Sequence, residues 1–396
     1  MANKNEFADL PKIPAIAGVR IAGVAAGLKV NGKHDLFVAE LAPGTTVAGT
    51  LTRSLCPGAP VEWNKQHLPA GKVRAIVASS GNSNVFTGQQ GRDLVANTAA
   101  AAAKAVGCRP AQVRLASTGI IGEKRETTFV SDKVPAAFRK LTKTGWHDSA
   151  RSIMTTDRFP KAAVRKVKIG NVEGSLAGIA KGSQMIAPDM GTMLCFLLTD
   201  AKLPAKVLQS CLKRAVDRSF NCISVDGDTS TSDTVLLSAT GQVKRQPRVE
   251  RAGDLELRDF RSALEDMTRE LALMIARDGA KSGRLLTCDV VGAESARGAR
   301  NIGRSIVDSM LVRVGIAGAE PRAGRIVMAV GKAGEKAARD RLAIAIAIGD
   351  VAIAEGGETV SGFDADTMVR HLKSDRVQIS VDIGIGRGKA RVWAAL

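Results

Sequence analysis

The sequence predicts an α/β protein built from α+β layers rather than from a doubly wound parallel sheet. Short apolar segments, several of them β-branched and bounded by glycine, aspartate or serine, are typical of strands. Longer segments with apolar residues three and four positions apart are typical of helices. The two kinds of segment are mixed without a regular strand–helix–strand alternation, which favours layers.

The predicted elements follow from these patterns in chain order. The helix over residues 93–106 contains an unbroken alanine run, and alanine has the highest helix propensity. Residues 123–135 and 241–254 are predicted to be linkers, and the second of them is polar and charged and is predicted to be an exposed connection. The predicted strands are 73–78, 113–116, 192–198, 223–225, 234–238, 285–291, 325–330, 342–348, 377–383 and 390–393, and the other predicted helices are 204–220, 257–277 and 294–312.

Composition limits the classes of partner. The chain has 396 residues, 45% of them apolar, which is enough to bury a sizeable core. Its net charge of +18 could attract an anionic partner, but the charges are scattered and form no basic tail. Aromatic residues are only 3%, which argues against recognition of single-stranded nucleic acid by stacking. We therefore expect no nucleic-acid partner.

The sequence also argues against metal, membrane and secretory functions. Its six cysteines include no C-x-x-C pair and its four histidines are isolated, so we expect no metal and no cofactor. Motifs for a phosphate-binding loop, a zinc protease or a serine hydrolase are absent. The first residues do not form a signal or transit peptide, and no apolar run is long enough to cross a bilayer. These features predict a cytoplasmic protein without membrane contact.

The junction between Gly191 and Thr192 is the most informative local feature. A segment containing Gly182 and Pro188 leads into an apolar strand that begins at Thr192. In such a layout the threonine hydroxyl can attack the preceding carbonyl, and Gly191 has no Cβ to crowd the bend. The freed α-amino group, with a reference pKa of about 7.7–8.0, can act as base for the hydroxyl. An ordinary turn before a strand has the same local pattern.

Two further segments carry candidate site residues. In residues 117–123, backbone N–H groups beside the Thr118 hydroxyl could hold a developing oxyanion, although a strand-to-helix turn has the same pattern. In residues 154–161, hydroxyl groups could contact a substrate. Alternatively, Asp157 caps a turn before Pro160.

Taken together, these segments resemble the ornithine acetyltransferase family, also called glutamate N-acetyltransferase or ArgJ. The family patterns are close to N-S-G-N-A-N-x-x-T-G, S-T-G-V-I-G-E, T-T-D-T-x-P-K, K-G-x-G-M-I-x-P-N-M-A-T-M-L and F-N-x-I-x-V-D-x-D-T-S-T-N-D. The resemblance extends over nearly the whole chain, and five motifs in the family's order identify the chain as a member. They lie at residues 80–88, 117–123, 155–161, 181–194 and 220–233.

The resemblance implies an αββα sandwich of the ArgJ/DmpA-like type that cleaves itself between Gly191 and Thr192. The products would be an α chain of residues 1–191 and a β chain of residues 192–396. The implied reaction of arginine biosynthesis transfers acetyl from N2-acetylornithine to glutamate. The implied assembly is a homo-oligomer of αβ heterodimers.

Site residues are implied by the same matches. Thr192 is the implied nucleophile, which carries the acetyl group as an ester, and Thr118 and Gly119 form the implied oxyanion hole. Thr155 and Lys181, together with Thr192, are the implied substrate-binding residues. The Lys181 ammonium group is also suited to an amino-acid carboxylate on chemical grounds.

The chain departs from the family pattern in four places, and one of these, Gly191 in place of Ala before the nucleophile, should still permit cleavage. Residues 278–283 stand where the family has D-G-E-G-A, so Ala280 replaces a glutamate that contacts substrate. Residues 318–325 lack the Asn and Trp of G-x-D-P-N-W-G-R, and the sequence ends at Leu396 before the family's C-terminal extension. Two alternatives therefore stay open. One is a paralogous threonine-nucleophile acyltransferase or amidase with another substrate, and the other is an inactive relative that acts as a binding protein.

Overall fold

The computed structural model describes residues 10–187, 193–280, 282–320, 322–337 and 345–396. Contacts divide the chain into two compact units. The first unit comprises Met1–Met185, Asp189–Ser219 and Thr229–Ile275, and the second comprises Ile186–Pro188, Phe220–Asp228 and Ala276–Leu396. This division concerns packing. It does not test the predicted cleavage into an α chain and a β chain, which stays a prediction.

The described elements have the following bounds. The strands are β1 (Val19–Val24), β2 (Leu36–Leu41), β3 (Thr46–Leu51), β4 (Ala75–Asn82), β5 (Val113–Ile120), β6 (Lys161–Ile169), β7 (Val172–Lys181), β8 (Leu194–Thr199), β9 (Ile223–Ser224), β10 (Thr234–Ala239), β11 (Leu285–Ala293), β12 (Ala345–Ile348), β13 (Val351–Glu355), β14 (Glu358–Thr359), β15 (Arg376–Asp382) and β16 (Gly388–Ala395). The helices are α1 (Ala59–His67), α2 (Gly88–Val106), α3 (Val134–Phe138), α4 (Trp146–Ser152), α5 (Ala205–Asp217), α6 (Arg258–Gly279), α7 (Ala296–Val307), α8 (Met310–Ala317), α9 (Ala323–Gly331) and α10 (Ala365–Leu372).

Two β-sheets pack face to face in the first unit. One has the strand order β1-β2-β4-β5 and the other the order β3-β10-β8-β7-β6. A shared apolar core draws buried side chains from both sheets, because alternate residues of each strand point inward. At its centre the rings of Phe37 and Phe196 stack with centroids 5.1 Å apart.

Helices cover the outer faces of the two sheets. On the four-stranded sheet, Leu94 of α2 shares a buried cluster with Val77 of β4. On the five-stranded sheet, α5 packs on β3, and Arg165 of β6 donates to Asp266 and Glu270 of α6 at 3.1 and 2.6 Å. The layers therefore run helix, sheet, sheet, helix, and the predicted αββα sandwich is confirmed.

The register of the strands brings several strand ends to one edge of the five-stranded sheet. Strands β8 and β10 are parallel, with Thr234 paired to Leu194, so both begin at this edge. Strand β7 is antiparallel to β8 and ends there, with Lys181 paired to Leu194. This edge carries the candidate site.

The second unit contains a seven-stranded sheet in the order β14-β13-β12-β15-β11-β16-β9. Helix α7 packs on β11 and β16, and its Ile302 and Ile306 are fully buried in the core of this unit. None of the described helices is long and apolar enough to span a membrane.

The predicted strand over residues 325–330 is wrong, because this segment lies in helix α9. Its β-branched residues favour a strand, but Ile326, Ala329 and Val330 are buried whereas Val327 and Met328 are 43% and 39% exposed. This spacing places the buried residues on one helical face, and packing outweighs the weak intrinsic preference for strand.

The predicted helix over residues 294–312 is two helices, α7 and α8. The Ser295 hydroxyl caps the start of α7 by accepting from the Gly298 N–H at 3.0 Å. After Asp308, whose carboxylate accepts a hydrogen bond from the Ser224 hydroxyl, Ser309 has extended backbone angles and interrupts the helix. Apolar spacing continues across this break, so periodicity alone did not reveal it.

Arg114 of β5 is a buried cation without a carboxylate partner among the described residues. Its side chain is fully buried, and Nη1 donates to the carbonyls of Ala111 and Val113 at 3.0 Å each. Nη2 donates to the carbonyls of His67 and Lys72 at 2.8 Å. Burial lowers the pKa of the guanidinium to about 10. The side chain therefore joins three segments of the chain through their carbonyl groups.

Replacing Arg114 with methionine is expected to lower the free energy of unfolding by about 3 kcal/mol, because buried carbonyls lose their donor. Urea titration monitored by circular dichroism measures this change. Arg139→Met, which removes an exposed arginine, is the matched control. Equal midpoints for the two variants would contradict the structural role of Arg114.

Candidate active site

The motif at residues 117–123 begins inside β5 and lies beside the motif around Gly81, which is on the neighbouring strand β4. Strands β4 and β5 are parallel, and Gly81 is the register partner of Gly119. Gly119 has a φ of +134°, and a Cβ there would lie 2.3 Å from the Gly81 carbonyl carbon, so only glycine fits. Ser83 Oγ donates to the Ile120 carbonyl at 2.7 Å. Since β5 continues through residue 120 and the next described helix is α3, a strand-to-helix turn at this position is wrong.

Thr118 contacts Lys181, the last residue of β7. Lys181 Nζ donates to Thr118 Oγ1 at 3.1 Å, and both side chains are at least 95% buried. An ammonium group has no acceptor, so the threonine oxygen must accept in this bond. The hydroxyl proton of Thr118 then points elsewhere, and none of the described residues accepts it. Thr118 can therefore donate a hydrogen bond to a further group.

The segment that carries Thr155 is held by the buried side chain of Asp157. Asp157 Oδ2 accepts from the Thr155 N–H at 2.9 Å, and Oδ1 accepts from the Gly182 N–H at 2.7 Å. Lys161 Nζ forms a fully buried ion pair with Asp157 Oδ1 at 2.8 Å. Asp157 therefore caps a local turn, which is one of the two roles that the sequence left open. It also connects this turn to Gly182, the residue after Lys181.

Charge stabilises Asp157 in its ionised form. Burial alone would raise the pKa of the Asp157 carboxyl. The ammonium groups of Lys161 and Lys181, with hydrogen bonds from Lys161 and the Thr155 N–H, outweigh burial and hold this pKa well below its usual range.

Replacing Asp157 with asparagine is expected to lower the free energy of unfolding at pH 7 by about 2 kcal/mol, because it removes the buried negative charge that pairs with the Lys161 ammonium group. The depressed pKa means that this stabilisation is present above about pH 4, the usual Asp pKa, and is lost as the pH falls further. Urea titrations from pH 7 to pH 3 should therefore show the difference shrinking. The exposed Asp132→Asn variant is the control, and a difference that does not change with pH would contradict this account.

Lys29 is a second support for the Thr155 segment. Its Nζ donates to the carbonyls of Met154 and His34 at 2.7 and 3.0 Å. Burial lowers the pKa of Lys29, and the nearby carboxylates of Asp35 and Asp157 partly offset this effect. Sequence reasoning missed Lys29, because it lies outside the five family motifs.

Met193, the first described residue after the proposed cleavage junction, is bound to the start of β10. Its N–H donates to Asp233 Oδ1 at 2.5 Å, and its carbonyl accepts from the Thr234 N–H at 3.0 Å. Asp233 is 1% exposed, and burial raises the pKa of its carboxyl well above the usual value. Sequence reasoning placed Asp233 in a family motif but gave it no role.

The structure brings together most of the predicted site residues. The side chain of Thr118, the residue before Gly119, contacts Lys181. Thr155 is linked to Gly182, the residue after Lys181, because the backbone N–H groups of Thr155 and Gly182 both donate to Asp157. Gly191 and Thr192, the predicted cleavage site and nucleophile, lie outside the described residues.

Comparison with known proteins gives consistent matches along the chain. The family model described as "ArgJ family" matches residues 20–395. The arginine biosynthesis bifunctional protein ArgJ of Gluconobacter oxydans (strain 621H) is 48% identical over 384 residues, covering 97% of this chain and 90% of that protein. Its counterpart in Mesorhizobium japonicum is 46% identical, with 97% and 93% covered. A crystal structure of ArgJ from Bacillus halodurans is 34% identical and covers 50% of this chain and 92% of that chain, with a TM-score of 0.46.

Proposed function

Because the chain belongs to the ArgJ family, we propose that it is a self-processing acyltransferase of arginine biosynthesis with Thr192 as its nucleophile. It transfers acetyl from N2-acetylornithine to glutamate. The observation that carries this proposal is the bond between Lys181 and Thr118, which joins two of the family's motifs at the edge where β8 begins.

Self-processing starts at the bond between Gly191 and Thr192. The Thr192 hydroxyl adds to the Gly191 carbonyl carbon, and the C–N bond breaks to give an ester and a free α-amino group. Water then hydrolyses the ester, which releases the carboxyl group of Gly191 and restores the hydroxyl. The products are chains of 191 and 205 residues.

Acetyl transfer uses the same hydroxyl twice. The α-amino group of Thr192 takes the hydroxyl proton while the oxygen attacks the acetyl carbonyl of N2-acetylornithine. Ornithine leaves with that proton, and acetyl remains on Thr192 as an ester. The amino group of glutamate then attacks the ester, N-acetylglutamate is released, and the hydroxyl proton returns.

Two groups of residues support this chemistry. The Thr118 hydroxyl and the Gly119 N–H serve as donors to the oxyanion that forms in each addition step. The Thr118 hydroxyl can donate its proton to the oxyanion because, in its bond with Lys181, the Thr118 oxygen is the acceptor. Lys181 and Thr155 contact the substrate, where the ammonium group suits a carboxylate.

The assembly that we propose for this enzyme is a homo-oligomer of αβ heterodimers, located in the cytoplasm. This part of the proposal rests on family membership and on the absence of any described helix that could span a membrane.

A transfer assay tests the proposed reaction. Purified protein is incubated with N2-acetylornithine carrying a labelled acetyl group and with unlabelled glutamate, and the products are separated by chromatography. Labelled N-acetylglutamate is expected, at a rate that depends on Thr192. If a self-cleaved protein makes none but accepts another acyl amide, the alternative of a paralogous acyltransferase or amidase is correct.

A further inference from the structure

We propose that Asp233 is a positioning residue for Thr192, which fixes the peptide unit between Thr192 and Met193 through its carboxyl oxygen. This inference rests on the proposed function, since it concerns the nucleophile assigned there. No role for Asp233 follows from the motif that contains it or from membership of the family.

The geometry around Met193 carries the inference. Asp233 Oδ1 accepts from the Met193 N–H at 2.5 Å, and the next residue, Thr234, donates its N–H to the Met193 carbonyl at 3.0 Å. Both polar groups of the Met193 backbone are thus bound by two consecutive residues. Because a peptide unit is planar, the Met193 N–H and the Cα of Thr192 share one plane. Holding the Met193 N–H in place is therefore the means by which Asp233 would position the residue bonded to it.

Asp233 is itself held firmly. It precedes β10, a strand with β3 on one side and β8 on the other. Its carbonyl accepts from the Thr52 N–H at 3.1 Å, and Thr52 Oγ1 donates to the Ser230 carbonyl at 2.6 Å. A carboxyl group held in this way can fix the position of the backbone just before β8.

The second carboxyl oxygen of Asp233 indicates that the contact with Met193 carries a cost in folding free energy. Asp233 Oδ2 is buried and forms no hydrogen bond of normal geometry with the described residues, although the nearby Thr52 hydroxyl lowers the pKa of this carboxyl group. The hydroxyls of Thr231 and Ser232 are also without a partner among the described residues. Buried polar atoms without partners are unfavourable and are often found at functional sites. Leucine, which has the same branched shape, would avoid the cost but would lose the acceptor for Met193.

The state of the carboxyl group indicates which substitution preserves the contact. Burial raises the pKa of Asp233 well above its usual value, although the hydrogen bond from the Met193 N–H, the charge of Lys181 and the Thr52 hydroxyl act in the opposite direction. A neutral carboxyl group has one carbonyl oxygen and one donor, as an asparagine side chain does. Asparagine should therefore reproduce the acceptor for Met193, whereas leucine and alanine should not.

The experiment compares Asp233→Leu, Asp233→Asn and wild type as full-length chains. Self-cleavage is followed by intact mass during synthesis in a cell-free system, and labelled acetyl transfer is measured on the products. We expect Asp233→Leu to slow cleavage about 100-fold, because a small misplacement of reacting groups has an effect of this size. Asp233→Asn should stay within about tenfold of wild type. Asp233→Ala repeats the acceptor-free test with less volume.

A matched control separates positioning from general stability. Ser238, farther along β10, also has a buried hydroxyl without a partner among the described residues, so Ser238→Ala should cleave at the wild-type rate. Thermal unfolding of each variant shows that it is folded. Wild-type cleavage in Asp233→Leu, or equal slowing in Asp233→Asn and Asp233→Leu, would overturn the inference while the proposed function stands. An uncut wild-type chain would instead contradict the proposed function.

Discussion

Replacing Thr192 with alanine is expected to leave an uncut chain of 396 residues and to reduce acetyl transfer by about 10⁴-fold or more. Alanine has no hydroxyl to attack the Gly191 carbonyl, so neither the ester nor the free α-amino group forms. The same substitution removes the atom that carries the acetyl group in the proposed reaction. Denaturing electrophoresis and the labelled transfer assay measure the two effects on one preparation.

Thr192→Ser is the matched control, because it keeps the hydroxyl and the α-amino group and removes only a methyl group. It should be cleaved and should retain transfer within about tenfold to 100-fold of wild type. If Thr192→Ala were cleaved at the same bond, or if it transferred acetyl at the wild-type rate, Thr192 would not be the nucleophile.

Replacing Thr118 with valine is expected to lower kcat for acetyl transfer by about 10²–10³-fold, the usual effect of removing one oxyanion donor. Valine keeps the β-branched shape of threonine but lacks the hydroxyl proton that Lys181 leaves free. The KM for N2-acetylornithine should change much less than kcat, because the oxyanion forms only when the bound substrate is attacked and is absent from the ground-state complex. Steady-state kinetics on the self-cleaved variant measure both constants.

Thr118→Ser keeps the donor and should retain kcat within about tenfold of wild type, although its smaller side chain is held less firmly. Thermal unfolding of both variants checks that the packing of β5 against β4 is intact. Equal losses of kcat in the serine and valine variants would contradict the role of the hydroxyl as a donor.

Much of the fold could be predicted from the sequence, because short apolar strands and amphipathic helices have distinct periods. The helix at 93–106 and the strands at 113–116 and 234–238 were located correctly, to within a few residues at their ends. Segment 325–330 was assigned wrongly because a short β-branched run fits either a strand or one face of a helix. Only its packing in the second unit, with Ile326 buried and Val327 exposed, decides between them.

The site was only partly predictable, because spacing along the chain does not reveal contacts between distant segments. The family motifs pointed to Thr118 and Lys181, but only the fold shows that their side chains meet. Lys29 and the Met193–Asp233 contact had no signal of their own, since each joins a side chain to a backbone group of a remote segment. Backbone partners leave no pattern of residue types in the sequence.

The most direct test of the central claim is the mass of the purified protein after incubation with N2-acetylornithine alone and acid quenching. The account predicts fragments of 191 and 205 residues, with the mass of one acetyl group added to the larger fragment at its N-terminal Thr192. Glutamate added before quenching should remove that acetyl group. A single uncut chain, or an acetyl group on any other residue, would contradict the account.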